Sequence, residues 1–507
     1  MAQVAVFNPA EFEKNEGVLL VWDYNAAHDS ITANITKIAQ QAGKVWILYR
    51  TEMAAVDTTQ IKNYLFERGV LPENLFFLPT NNESLWIRDF GPMTLYGNFG
   101  QDSERFIIDM GFSAYNRPMD DSVPAQIASQ WGWQKTNFDL EVEGGNIMFD
   151  GLMRGFSTKR VYEQNPDLSP ALIRNIFIDK FNQNDFTFLE PLNYSGGGIW
   201  KHVDMFMKVL DYETILVSSY PDYLPDFPVI EGNVSTLESL NNAFSKPYNI
   251  IRIPAPPKAD GTWATTQDDE MRTYTNSLII NNNVIVPSYG LPEYDTQAMQ
   301  IYQNVMPGYK IIMVDAQNLT PVGGSIHSIT KEVPAPNLVR VVHKKVTGRQ
   351  EFASDFHIYS NCESSSILQR MWLYYKVNQD ENYTKVPVYL NCPQNIGIIE
   401  GLNPGDTVKY YLEAISINAS TTYPLAAPAG NFTFFFDEAV NVSENFSAKK
   451  SDDLLVFPLP NDGNFYVKAK NDQSISSIRI LNSSGQVVYN EEYISDIQIN
   501  AQLNSGF

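Results

Sequence analysis

Between residues 86 and 333 the chain repeats one pattern five times, and that repetition restricts the available folds more than any other feature. In each occurrence a polar residue opens a strand, a turn follows, and a second apolar strand runs back. Asp89 precedes Met93 to Tyr96, a Gly97-Asn98 turn and Phe106 to Asp109, and Glu143-Gly-Gly-Asn146 precedes Ile147 to Phe149, Asp150-Gly151 and a return. His202 and Asp204 precede Met205 to Leu210, a turn over 211–213 and Ile215 to Ser218; Asn276 precedes Leu278 to Ile280, Asn281 to Asn283 and Val284 to Pro287. Last, Gly323-Gly324 leads through Ser328 into residues 329–333, where the return strand is harder to find. Helical segments near 169–182, 234–244 and 294–304 fill the gaps. Such repeats point to units set around an axis, not to one continuous sheet, each delivering a polar residue to a shared centre. Any one of these residues could simply start a strand; five in series argue against that for the set.

Upstream, Glu16 to Trp22, Val45 to Tyr49 and Asn74 to Leu78 read as strands, with helical spacing over 30–42 and 55–69 between them. The order β-α-β-α-β predicts an α/β domain. After Pro334-Ala-Pro336 the helices stop, and short strands follow at Val339 to Lys344, Ser354 to Ser360, Met371 to Val377, Tyr383 to Leu390, Thr407 to Ser416 and Asn431 to Phe436. Their number and length predict an immunoglobulin-like β-sandwich, although Cys392 follows Cys362 and Trp372 too closely for the usual second cysteine of that fold. A last β-rich unit begins near Leu454 and ends in an unfinished strand, so it is expected to be truncated. The predicted division is 1–333, 334–440, a linker over 441–453, and 454–507.

A net charge of −22 repels phosphate backbones, which excludes nucleic acid as the expected partner and favours cationic small molecules or peptides. No run is apolar enough to span a membrane, and no basic start leads into a signal-peptide core. Met1 is therefore expected to begin a cytoplasmic protein or the mature form of an exported one. Cys362 and Cys392 are the only cysteines; whether they bridge stays open, because sequence does not give their Cα separation.

Trp86-Ile-Arg-Asp-Phe-Gly-Pro92 places an aromatic, a base and an acid together, and Asp89 can take two parallel hydrogen bonds from a guanidinium. His202 and Asp204 lie two apart, so on a strand they share a face, where a carboxylate can hold a histidine charged for acid/base work. Taken alone, His-x-Asp is as readily a hydrogen-bonded pair of no catalytic consequence. A metal site is weakly supported, and no cofactor is expected.

These segments, together with Gly323-Gly-Ser-Ile-His-Ser328, resemble in order and spacing the signatures of the guanidine-modifying deiminases. The likeness is greatest to secreted bacterial peptidylarginine deiminases, with agmatine deiminases as a sister group. Over residues 10–333 it implies a five-bladed α/β propeller, the pentein fold. It implies that Asp89 and Asp204 hold a substrate guanidinium, that His202 protonates the leaving ammonia and later activates water, and that Asn276 positions. Trp86, Arg88, Arg117, Trp200 and Asn146 are the expected substrate contacts. Glu143 is expected to anchor the Gly144-Gly145 turn. The partner implied is an arginine-containing peptide or protein.

Two positions depart from the family. Its nucleophile is cysteine, and the matching residue is Ser328, whose hydroxyl lacks a dedicated base; Ser328 is expected to be nearly inert, more in keeping with an engineered inactive form than with a natural pseudoenzyme. An Arg-x-Arg pair that clamps a terminal carboxylate is reduced to Arg117 with Met119, so a strict preference for C-terminal arginine is not expected. The alternatives are a deiminase of agmatine or free arginine, and a non-catalytic arginine-peptide binder. The tail from 454 resembles type IX secretion sorting domains, which implies a secreted or cell-surface protein.

Overall fold

In the computed structural model the described residues are 6–50, 58–98, 103–113, 116–192, 201–266, 269–390, 394–438, 454–457, 464–469, 477–481, 487–492 and 497–500. Trp200, Cys392, the expected linker and the final residues 501–507 lie outside them. Residues 1–348, 353–402 and 407–434 form one compact unit; 349–352, 403–406 and 435–507 form a second.

Within residues 6–334 the described strands make five small sheets of mixed α/β character. Each begins with an antiparallel hairpin and adds a parallel strand after a helix. Met93–Asn98 pairs antiparallel with Ser103–Gly111, which pairs parallel with Gln134–Glu141 across the helix Val123–Trp131. The same scheme joins Met148–Phe149, Arg154–Thr158 and Asp185–Leu189. It recurs in Met207–Asp211, Thr214–Ser219 and Asn249–Pro254, and in Leu278–Ile280, Asn283–Ser288 and Lys310–Asp315. In the fifth sheet the elusive return strand comes from the other end of the sequence. Thr330–Pro334 pairs antiparallel with Asn15–Val21, to which Lys44–Arg50 and Leu75–Thr80 add in parallel. The opening β-α-β-α-β run is therefore the remainder of the last repeat.

The helices follow local chemistry. Asn25 caps Ala26–Ala39 by accepting from Ala27 N, and Ser169 caps Pro170–Phe181, where Pro170 occupies a first-turn position that needs no N–H. Asn182, at φ 48°, ends that helix in the left-handed conformation. Its Ile173, Phe177 and Phe181, spaced four apart, pack into a core with Phe138, Phe149 and Phe186. The helix expected at 234–244 instead spans Phe227–Glu238: Pro228 sits in its first turn, and Asn242 organises a turn beyond its end.

From residue 339 the described strands are Val339–Val342, Phe356–Ser364 and Asn395–Ile399 on one side, and Thr384–Tyr389, Leu368–Val377, Thr407–Ser416 and Phe432–Phe435 on the other. Among the described residues, the pairs Val388↔Gly397 and Tyr389↔Ile396 join the halves. The strands Asn395–Ile399 and Ser420–Tyr423 had not been expected. This β-rich part is fastened to the sheets before it: buried Arg340 pairs with Glu13 and Glu363 and donates to Gly151 O, and Lys345 pairs with Asp211. Cys362 is a free thiol, pushed up to about 12 chiefly by burial. In the C-terminal unit, Leu454–Phe457, Asn464–Ala469 and Ile497–Asn500 pair antiparallel, as do Ser477–Leu481 and Val487–Glu492. Among the described residues no helix is long and apolar enough to cross a membrane.

Candidate active site

Four of the five polar openings sit in or beside single helical turns that precede the first strand of a sheet: Ile87–Phe90, Gly144–Asn146, Val203–Met205 and His327–Ile329. The fifth, Asn276, stands just before Leu278–Ile280. A helical turn bends the chain sharply where the strand begins and turns these side chains inward. The convergence is tightest at Gly145. A Cβ built there would lie 2.7 Å from Asp89 Oδ1, 2.9 Å from His202 Nδ1 and 3.2 Å from Asp204 Oδ2, so this position requires glycine for close approach.

Asp89 Oδ1 accepts from Gly145 N at 3.1 Å and lies 3.5 Å from His202 Nδ1. On the other side of the ring, His202 Nε2 stands 2.9 Å from Glu143 Oε2. Glu143 in turn accepts two bonds from Arg160, Nε at 2.7 Å and Nη2 at 3.1 Å, and one from Gln164 at 3.0 Å. Its carboxylate therefore holds the histidine, correcting the expectation that it anchors the glycine turn; only its backbone carbonyl serves that turn, accepting from Asn146 N. Burial works to neutralise His202, but Glu143 first and Asp89 next outweigh it and raise the imidazole to about 9. Burial tends to raise Glu143 too, yet His202 and Arg160 bring it down to about 2. For Asp89 burial prevails: opposed by His202 and reinforced by Glu143 and Asp204, it lifts the carboxyl to about 7.

His202 and Asp204 do not share a strand face as expected, because residues 203–205 form a turn of 3-10 helix. Asp204 instead reaches the later sheets: Oδ2 accepts from Asn276 Nδ2 at 3.0 Å and lies 2.7 Å from His327 Nδ1. Its Oδ1 is buried and has no hydrogen-bond partner among the described residues. Asn276 also fixes residue 328, its Oδ1 accepting from Ser328 N at 3.2 Å and Ser328 Oγ at 3.3 Å. Ser328 is 8% exposed, at the edge of the buried set. Trp86 packs against the glycine turn, since a Cβ at Gly324 would fall 2.3 Å from its ring and 2.9 Å from Ser328 Cβ.

The other expected contacts are placed differently. Arg88 is fully enclosed, pairing with Glu332 at 2.6 Å and Glu11 at 3.5 Å and donating from Nε to His327 O at 3.2 Å, so its guanidinium braces the site from below. Asn146 is likewise a brace: its Oδ1 accepts from Thr158 N, Thr158 Oγ1 and Val203 N, tying the second repeat to the third. Arg117 is half-buried beside Asp120. Asp120 accepts from Glu83 N and Ser84 N, and Met119 N donates to Glu83, so this segment is tied to the loop that enters Trp86; Met119 itself is 45% exposed. Sequence reading missed Glu11, Arg160, Lys208 and Glu332 altogether. It passed over His327 although that residue adjoins Ser328. Glu11, His327 and Glu332 lie close enough to hold a cation, but Lys208 and Arg88 already face those carboxylates.

Residues 455–507 match the secretion system C-terminal sorting domain, which supports a secreted or cell-surface location. A protein of Shewanella sp. strain MR-4, named as a candidate agmatine deiminase, is 25% identical over 369 residues, covering 66% of this chain and 95% of its own length. The agmatine deiminase of Enterococcus faecalis superposes with a TM-score of 0.56 at 22% identity, covering 65% of this chain and 96% of that one. A C. jejuni agmatine deiminase carrying serine in place of a cysteine, with substrate bound, gives 0.55 at 19% identity, covering 66% and 98%. Residues 7–334 match the Porphyromonas-type peptidyl-arginine deiminase family, and the chain belongs to that family.

Proposed function

We propose that the five sheets are the blades of an α/β propeller, that residues 334–440 are an immunoglobulin-like sandwich, and that the central site deiminates arginine in peptides or proteins when residue 328 is cysteine. The observation that carries this reading is the meeting of Asp89, His202 and Asp204 at Gly145, with residue 328 joined to them through Asn276. Two carboxylates suit a planar guanidinium, and the unpartnered Asp204 Oδ1 supplies an acceptor that needs a donor. In the sandwich, the two strand groups, joined by two residue pairs among the described residues, support a two-sheet arrangement.

The chemistry follows from these positions. A thiolate at 328 attacks the guanidinium carbon; the tetrahedral adduct expels ammonia as His202, held charged by Glu143, gives up its proton. The neutral imidazole then takes a proton from water, which adds to the same carbon, and collapse returns the thiolate and leaves a citrulline ureido group. Ser328 has no base to activate it: its hydroxyl points to the amide oxygen of Asn276. This chain is therefore a substrate-trapping form. The substrate-bound, serine-substituted C. jejuni enzyme is a precedent for that behaviour.

The β-rich part and the sorting domain favour a peptide or protein substrate, for which an exported enzyme is suited. The second reading, agmatine or free arginine, is favoured by the names of the relatives. A third, with Ser328 native and arginine peptides only bound, follows from the serine itself. Ser328→Cys assayed for ammonia and ureido product on arginine peptides, agmatine and free arginine separates the three. Turnover of peptides is the expected result; turnover of agmatine or arginine alone would transfer the assignment, and none with any substrate would end both enzyme readings. In the active form Met119→Arg is expected to shift preference toward C-terminal arginine.

A further inference from the structure

His327 stands between two carboxylates with no solvent contact. Its Nδ1 is 2.7 Å from Asp204 Oδ2 and its Nε2 is 2.7 Å from Glu11 Oε1. A carboxylate offers only lone pairs, and a neutral imidazole has one N–H and one lone pair. Each ring nitrogen therefore faces a group that can only accept, and the ring bridges the two carboxylates. The far end of the bridge is anchored: Glu11 also faces Lys208 and Arg88, and Arg88 binds the His327 carbonyl while pairing with Glu332. At the near end, His327 and Asn276 both address Asp204 Oδ2. Two donors on one oxygen fix the carboxylate plane, and Oδ1 is left as the free acceptor.

We infer that His327 is a positioning residue that locks Asp204 with Oδ1 turned toward the substrate guanidinium, and that Glu11, brought in by the N-terminal segment, fixes His327 from behind. The inference rests on the guanidine-binding reading above. It assigns a task to the histidine beside residue 328 that does not require it to touch substrate. It also explains why a half-buried glutamate from the first dozen residues lies against a site built from residues 86–328. Without the bridge, Asp204 keeps a single donor, Asn276, and its carboxylate can rotate.

Because Ser328 removes turnover, binding can be measured on the full chain as it stands. Calorimetric titration would use Nα-benzoyl-arginine amide as the cationic probe and Nα-benzoyl-citrulline amide as its neutral counterpart. His327→Gln is expected to weaken the arginine probe by about tenfold, the scale of one charge-assisted hydrogen bond, and the citrulline probe by no more than about threefold. Glu11→Gln, which touches His327 and not the substrate, is expected to act in the same direction but less. The double variant should bind no worse than His327→Gln alone, since both changes break one bridge. If His327→Gln does not fold by circular dichroism, the two-probe comparison on Glu11→Gln decides the matter. Unchanged arginine affinity, equal loss of both probes, or additive effects in the double variant would each overturn the inference. If the unchanged protein bound neither probe, the guanidine reading itself would fall, and this inference with it.

Discussion

The strongest quantitative demand concerns the pair Glu143 and His202. Raising a buried imidazole from its ordinary 6.5 to about 9 corresponds to about 3 kcal/mol in favour of the charged ring. Glu143 is the first contributor to that rise and Asp89 the second. Glu143→Gln keeps the shape and an acceptor for Arg160 but removes the charge. With burial still opposing the imidazolium, His202 should return to its ordinary value or below. In the Ser328→Cys enzyme the alkaline limb of the kcat profile should move from about 9 to near or below neutrality. At pH 8 the protonated fraction, and with it turnover, should fall roughly thirtyfold. The sign for stability is also fixed. A histidine raised above its unfolded value contributes stability that is complete below about 6.5 and is lost as pH rises through about 9, so the melting temperatures of the two proteins should converge across that window. A variant with lower kcat at every pH and an unmoved limb near 9 would show that Glu143 does not set the charge of His202.

Gly145→Ala places a methyl 2.7 Å from Asp89 Oδ1 and 2.9 Å from His202 Nδ1, and should weaken arginine-amide binding by about tenfold or more; an unchanged Kd would refute the convergence at that point. Asp89, raised to about 7, destabilises the free fold as pH climbs from its unfolded value of 3.8 through that point, and a bound guanidinium should expel its proton. Affinity should then rise with pH up to about 7, with proton release at pH 6 visible as a buffer-dependent binding enthalpy; no release at pH 6 would contradict the assignment. Arg340→Met leaves buried Glu13 without its cation and should cost about 3 kcal/mol in urea unfolding, most of it recovered by adding Glu13→Gln; additive losses would count against the pairing.

The hairpins were legible because each pairs neighbours across a short turn: Leu278–Ile280 and Asn283–Ser288 are apolar at every buried position except Asn283 and are separated by Asn281 and Asn282. The parallel strand that completes each of the other four sheets was not, whereas Lys44–Arg50 and Leu75–Thr80 of the fifth were read. Gln134–Glu141 buries Phe138 and Leu140, and Lys310–Asp315 only Val314, too little for alternation to stand out. In the β-rich part, Asn395–Ile399 and Ser420–Tyr423 escaped for the same reason, being short and partly exposed.

Which residues open the repeats follows from the sequence alone, because a strand's first turn and its polar neighbour are local, and so does the serine at residue 328, where the likeness to the deiminases leads to the expectation of a thiol. Tertiary structure alone decided the pairings. The fifth hairpin closes with Asn15–Val21, the Glu143 carboxylate meets His202, and Glu11 reaches His327 from 316 positions away. Those contacts leave no periodic trace along the chain, since each arises only when one repeat packs against the next. Electrostatics followed the packing: carboxylates brought together in a buried centre set each other's charge, and the spacing of the residues does not encode that distance.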